Sequence, residues 1–195
     1  VTIYPYVELG MMEFMRELQW QCYNKHQLSV YEKDGVLIYR YGVENQPKPD
    51  ETPLVYFASD APAAGFDCDR DAFIGSYRSE EAPIGLEHEH LKNSTLFGGD
   101  PCFALELPLT LRAGETKSLN IYLGTELTGD KIFRSLAACK APDFFAASMQ
   151  KLAETWEDFF SGFQCSLPDK DAETMINIWN PYQMERNFRF SRNIS

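Results

Sequence analysis

Up to Gly124 the sequence is punctuated like a sheet protein; beyond it, apolar residues recur at helical spacing. A run of strands followed by a run of helices implies an α+β chain or two separate domains. Thr2-Ile3-Tyr4-Pro5-Tyr6-Val7-Glu8-Leu9 is aromatic and β-branched, with Pro5 demoting it to an edge or bulged strand. Gln27 to Tyr31 and Val36 to Val43 flank Lys33-Asp34-Gly35, whose Asp-Gly pair tolerates positive φ and marks a hairpin. Asn45 to Pro53 reads as a surface loop, and Leu54-Val55-Tyr56-Phe57-Ala58 is apolar throughout, as a strand buried on both faces is. Periodicity fades from Ser59 to Asp100, which predicts a long loop carrying function or local helical turns. Phe103 to Leu111 and Ser118 to Leu123 read as strands again, and the spacing of the whole run predicts a β-sandwich.

The helical part opens with Asp130 to Cys139. A longer helix follows over Pro142 to Phe160, where Phe145, Met149, Leu152, Trp156 and Phe159 form one apolar stripe, read as core-facing. Gly162 can end it. Asp169 is a plausible N-cap for a third helix, with Asp171 and Glu173 favourable in its first turn. Pro181 is expected to kink that helix or restart it, with Asn180 as the new cap.

A chain of 195 residues fits one domain, or one domain and part of a second. Val1 opens inside a strand pattern without an initiator Met, and the last helical pattern runs into Ser195, so both ends are expected to be cuts through a longer protein. No apolar run approaches the roughly 18 residues of a membrane span. A net charge of −11 argues against nucleic acid and anionic membrane as main partners. The 5 cysteines (Cys22, Cys68, Cys102, Cys139, Cys165) are scattered without a CxxC pair, which points to free thiols in a reducing cytoplasm.

Asp67-Cys68-Asp69-Arg70-Asp71 alternates carboxylates like a calcium loop, but Ala72 stands where that loop needs Gly and Arg78 where it needs Glu. Glu87-His88-Glu89-His90 offers two imidazoles, with only His26 elsewhere, too few for a closed metal site. No metal is expected. Nor is there a GxSxG, HExxH or phosphate-loop motif.

The closing stretch, Asn177-Ile178-Trp179-Asn180-Pro181-Tyr182-Gln183-Met184-Glu185-Arg186-Asn187-Phe188-Arg189-Phe190-Ser191-Arg192, is of another kind. Aromatic faces beside amides and guanidinium groups suit sugar rings, hydroxyls and anionic groups such as phosphate. On a helix, Trp179, Gln183, Arg186, Phe190 and Asn193 share one face, with Asn180, Asn187 and Ser191 near another.

This ending resembles the inverting sugar phosphorylases of glycoside hydrolase family 94, which include cellobiose, chitobiose, cellodextrin and β-1,2-oligoglucan phosphorylases. The matching residues are Asn177, Trp179, Asn180, Tyr182 and Gln183, then Phe188 or Phe190, then Ser191-Arg192. Upstream, Arg70, Asp71, Phe73, Ile74, Gly75, Tyr77, Arg78, Pro83 and Glu87 meet a second pattern of that family, and Leu111, Gly114, Glu115, Lys117, Leu123 and Gly124 a third. The resemblance implies an antiparallel β-sandwich over 1–126, incomplete at its N-terminus, a helical linker over 127–168, and over 169–195 the first helix of a truncated (α/α)6 catalytic barrel.

It further implies reversible phosphorolysis of β-linked gluco-oligosaccharides to α-glucose 1-phosphate, with inorganic phosphate as co-substrate and no cofactor. The family's general acid is an Asp beyond Ser195, so no catalytic residue is expected within the chain, and the fragment alone is expected to be inactive. Candidate substrate-binding residues are Trp179, Asn180, Gln183, Arg186, Arg192, Arg70, Tyr77 and Arg78. Expected partners are oligosaccharide and phosphate, with a homodimer as a further possibility. The interval Met184 to Phe190 departs from the disaccharide-type members and favours an oligoglucan, β-1,2 before β-1,4. Two alternatives are a stand-alone carbohydrate-binding β-sandwich module and the phosphorylase-like region of a cyclic β-1,2-glucan synthase.

Overall fold

The computed structural model describes residues 1–10, 26–41 and 53–190, the last by its backbone alone. Cys22, residues 42–52, Ser191 and Arg192 lie outside the described residues, and with them the end of the strand expected to reach Val43 and nearly all of the loop expected over Asn45 to Pro53. The chain divides into two compact units, Val1–Lys140 and Ala141–Ser195.

In the first unit, β1 (Thr2–Ile3) and β2 (Tyr6–Glu8) are the halves of the expected first strand, separated at Tyr4-Pro5. The ring of Pro5 offers no N–H, but its carbonyl still accepts from Leu105 N at 3.2 Å, so both halves stay on one neighbour. That neighbour is β8 (Pro101–Pro108), with Ile3 opposite Leu107 and Tyr6 opposite Ala104. On its other side β8 pairs with β6 (Gly65–Asp69). The second sheet has the order β7-β3-β4-β5-β9 and is antiparallel throughout. Its strands are β3 (Leu28–Lys33), β4 (Val36–Tyr41), β5 (Leu54–Ser59), β7 (Leu96–Phe97) and β9 (Ile121–Glu126). The β3–β4 hairpin turns on Asp34 and Gly35, both at positive φ (52° and 79°), the combination that an Asp-Gly pair supplies at low strain.

The two sheets close on one core. Leu37, Tyr39, Val55 and Phe57 from one meet Cys68, Phe103, Leu105 and Leu107 from the other, and the Phe57 and Phe103 rings stack at 5.6 Å. Burying each ring contributes about 2–3 kcal/mol. The outer face of β4 and β5 is covered by α1 (Gly129–Cys139), whose Ile132 and Leu136 pack on Val36, Ile38, Tyr56 and Ala58. Strand β5 is therefore buried on both faces, the physical reason for its unbroken apolar run.

The expectation of a long loop over Ser59 to Asp100 is corrected in part: the local helical turns are there, but so are two strands. That interval contains β6, a helical turn at Arg70–Phe73, a 3-10 turn at Ile84–Glu87 and β7. Periodicity fails there because the elements are short and because Asp67, a charged residue, is among the most buried.

In the second unit, α2 (Phe144–Ser161) is followed by α3 (Lys170–Thr174), a π turn at Met175–Trp179 and α4 (Asn180–Phe190), the last three running on without a break. Asp169 caps α3 as expected, its carboxylate accepting from Asp171 N at 3.0 Å and Ala172 N at 3.2 Å. The helix neither stops nor restarts at Pro181: Asn180 has helical φ and ψ (−65° and −49°) and is no cap. Its N–H donates to Met175 O, five residues back, and this wider turn accommodates a proline whose ring would otherwise crowd the carbonyl of Asn177. The stripe read as core-facing is also corrected. Phe145, Met149, Leu152 and Phe159 are all exposed, and only Trp156 of the stripe is half-buried, against Tyr182.

Candidate functional site

The upstream motif sits where β6 ends. Asp69 accepts from Asp71 N at 2.9 Å and so caps the Arg70–Phe73 turn, which turns Arg70 towards β2. There Arg70 Nε donates to Glu8 Oε1 at 2.6 Å, and the Tyr6 hydroxyl donates to the same oxygen at 2.7 Å. Burial works to raise the Glu8 carboxyl, but these two hydrogen bonds and the Arg70 charge outweigh it and hold it below the usual range. Burial, with Glu8 alongside, pushes the Tyr6 phenol well above its ordinary value. Tyr6 also stacks on Phe73 at 5.0 Å, so the turn is fixed by both a charge and a ring.

From Phe73 the chain reverses through Gly75 (φ 96°), where a side chain would lie 3.2 Å from Ile84. Tyr77 then adopts φ 63°, unusual for a non-glycine residue, with its side chain fully exposed. Arg78 forks onto Glu87, Nη2 reaching Oε2 at 3.4 Å while Nη1 meets Oε1. The hydrogen bond and charge of Arg78 keep Glu87 below the usual carboxylate range.

Two buried carboxylates anchor the segment that follows. Asp67 accepts from Ser94 N at 3.0 Å and Lys92 N at 3.4 Å. Glu106 accepts from Leu91 N at 2.9 Å, and its other oxygen is 2.8 Å from His90 Nδ1. Burial raises Glu106, yet the Leu91 amide and His90 bring it below the ordinary range, while the hydrogen bond to Glu106 raises His90 above its own. Asp67 stands out in the sequence only as part of a calcium-like carboxylate run, not as a buried anchor; Glu106 is not singled out there, although a lone Glu within Phe103-Ala104-Leu105-Glu106-Leu107 is a readable signal of a buried carboxylate. Burial pushes the neighbouring Cys68 thiol up to about 12. Cys68, Cys102, Cys139 and Cys165 carry free thiols. Among the described residues no cluster of three or more His, Cys, Asp or Glu could hold a metal ion.

The second motif lies on the last helices. Trp156 of α2 stacks on Phe160 at 5.3 Å and meets Tyr182 of α4 at 5.5 Å. The Arg186 guanidinium carbon lies 5.1 Å from the Trp156 ring and 5.3 Å from the Tyr182 ring, an arrangement that joins the two helices. Glu185 pairs with both Arg186 and Arg189. Trp179, Asn180 and Gln183 are exposed, and the Trp179 ring meets Tyr182 edge-on at 6.3 Å. Beside them an apolar groove of about 570 Å³ is lined by Phe159, Phe163, Ile176, Pro181, Met184 and Phe188, with Asn180 and Glu185 at polar positions. Arg70, Tyr77 and Arg78 thus stand together on the first unit, and Trp179, Asn180, Gln183 and Arg186 on the second; Arg192 is outside the described residues. Such surfaces can stack a sugar ring on an indole face and bind its hydroxyls through amides.

Residues 1–142 match the family model described as "Glycosyl hydrolase 94, supersandwich domain". The chain is 27% identical over 198 aligned residues to N,N'-diacetylchitobiose phosphorylase of Vibrio furnissii, an alignment covering 98% of this chain and 23% of that protein. It is 33% identical over 129 residues to cyclic beta-(1,2)-glucan synthase NdvB of Rhizobium meliloti (strain 1021), covering 66% of the chain and 4% of the synthase. With 3-O-beta-D-glucopyranosyl-beta-D-glucuronide phosphorylase of Paenibacillus borealis the identity is 29% over 143 residues, covering 73% of the chain and 18% of that enzyme. The chain spans less than a quarter of the length of these curated relatives.

Proposed function

The chain belongs to the glycosyl hydrolase 94 family, and from that premise we propose that it is part of an inverting phosphorylase acting on β-linked gluco-oligosaccharides. Residues 1–126 supply its sandwich domain, 127–168 a helical linker, and 169–195 the first helix of an (α/α)6 catalytic barrel. The observation that carries this reading is the second unit's surface. Its exposed apolar side chains and groove have the character of an interior wall, and Trp179, Asn180 and Gln183 rise beside them. The occupant of that apolar face is the remaining helices of the barrel, which is in keeping with relatives more than four times as long as this chain.

The reaction needs little of this chain beyond binding. An oxygen of inorganic phosphate attacks the anomeric carbon from the face opposite the glycosidic bond. That bond breaks with its electron pair on the leaving oxygen, and a carboxylic acid outside these residues protonates it. The product is α-glucose 1-phosphate. Phosphate is already an anionic nucleophile, so one carboxylic acid suffices, and phosphate is a co-substrate rather than a cofactor. Trp179 stacks on a sugar ring, while Asn180, Gln183, Arg186 and Arg192 line the same wall. Tyr77, presented by the Arg70–Glu8 and Arg78–Glu87 pairs, contacts sugar or a second copy of the enzyme in a homodimer. The favoured substrate is a β-1,2-oligoglucan, then a cellodextrin.

The test is to incubate the full-length enzyme with β-1,2- and β-1,4-gluco-oligosaccharides with and without phosphate. Phosphate-dependent α-glucose 1-phosphate is expected; free sugar alone, at a rate indifferent to phosphate, overturns the reading. The identity to a cyclic beta-(1,2)-glucan synthase favours a second reading, the corresponding region of such a synthase. Among the described residues no helix is long and apolar enough to cross a membrane.

A further inference from the structure

Asn177 is the only buried residue among those described in the second unit, and it is polar. Both polar atoms of its side chain are engaged: Oδ1 accepts from Cys165 N at 2.9 Å, and Nδ2 donates to Cys165 O at 2.7 Å. Both ends of one amide thus hold one backbone residue of the segment linking α2 to α3. Asn177 also lies at the centre of the π turn. Its own carbonyl is four residues before Pro181, the position that a proline ring crowds in a straight α-helix. The extra residue of the wide turn offsets everything after it by about 100° and 1.5 Å relative to an uninterrupted helix. Trp179, at the end of the turn, and Asn180 and Gln183, at the start of α4, inherit their direction from that offset. So do Tyr182 and Arg186, which meet Trp156.

We propose that Asn177 is a positioning residue for the sugar-binding wall: its amide locks the π turn to Cys165 and thereby sets the rotation at which Trp179, Asn180 and Gln183 face the substrate. This rests on the reading of those three residues as sugar-binding. An alanine at 177 removes both bonds and leaves the Cys165 amide and carbonyl without their partner. An aspartate keeps the acceptor for Cys165 N but sets a second acceptor against Cys165 O, so it is the sharper probe of equal size.

In the full-length enzyme, Asn177→Ala and Asn177→Asp are each expected to raise KM for oligosaccharide about tenfold. kcat should stay within about twofold, and KM for phosphate should not change. A purely structural role predicts instead less active enzyme, with every KM at the wild-type value. That result, or wild-type kinetics in both variants, overturns the proposal; if Asn177→Ala does not fold, Asn177→Asp decides by the same criteria. Absence of phosphorolysis in the wild type strikes the functional reading rather than this one. Amide exchange at Cys165 then decides the lock separately: faster exchange in Asn177→Asp at an intact helical signal supports it, and unchanged exchange contradicts it.

Discussion

In the first unit Phe57, Leu37, Ile38, Phe103, Leu105 and Leu107 are at most 2% exposed, whereas in the second Phe145, Met149, Leu152, Phe163, Met184 and Phe188 are 50–75% exposed. Both regions are rich in apolar side chains, so composition does not separate them. Geometry does. A sheet has two faces, and here one sheet closes on the other while α1 and the Phe73–Ile74 turn cover the outer sides. The second unit's helices join through Trp156, Tyr182 and Arg186, while many of their other apolar side chains stay exposed. The first region is stabilised by what it buries within itself; the second leaves much of its apolar surface exposed.

The largest effect that can break this contrast comes from paired truncations in this chain. Phe103→Ala should destabilise the sandwich by about 3–5 kcal/mol, read as loss of amide protection in β8. Phe145→Ala should change stability by less than about 0.5 kcal/mol; equal losses would mean that the contrast is false. Next in size, Asp67→Ala should lower the stability of the sandwich by about 2 kcal/mol and open residues 92–94 to exchange, because the Ser94 and Lys92 amides lose their buried acceptor.

A smaller effect depends on pH. His90 is raised, so its contribution is complete below the ordinary histidine value and fades as pH rises through the folded one. Glu106 is lowered, so its contribution holds above the ordinary carboxylate value and is lost as pH falls through the folded one. Both act together between about pH 4.5 and 6.5. His90→Ala should therefore lower the melting temperature more at about pH 5.5 than at about pH 8.5; a difference independent of pH would remove the ion pair from the account. Smallest, Asp169→Ala should loosen the start of α3 by about 1 kcal/mol, seen as faster exchange at Asp171 and Ala172.

The strands and helices were legible where one period dominated a long stretch. The β3–β4 hairpin followed from Asp34-Gly35, and β5 from its apolar run. Between Ser59 and Asp100 the same reading failed for the strands, since β6 and β7 are held by pairing with distant strands, which local spacing cannot reveal. At Pro181 the sequence predicts a kink or a restart; the helix does not restart, and a π turn over Met175–Trp179 answers the steric problem. The α2 stripe shows the opposite limit, for periodicity identifies an apolar face but not what covers it.

The central claim is that the helical unit is one wall of a larger barrel while the sandwich closes on itself. Hydrogen exchange, compared between this chain and the full-length enzyme, tests it most directly. Protection of the Phe144–Ser161 and Asn180–Phe190 helices should rise at least tenfold in the full-length enzyme, a gain of about 1.4 kcal/mol, while β4, β5 and β8 stay unchanged. Equal helix protection in both contexts, or a gain confined to the strands, would contradict it.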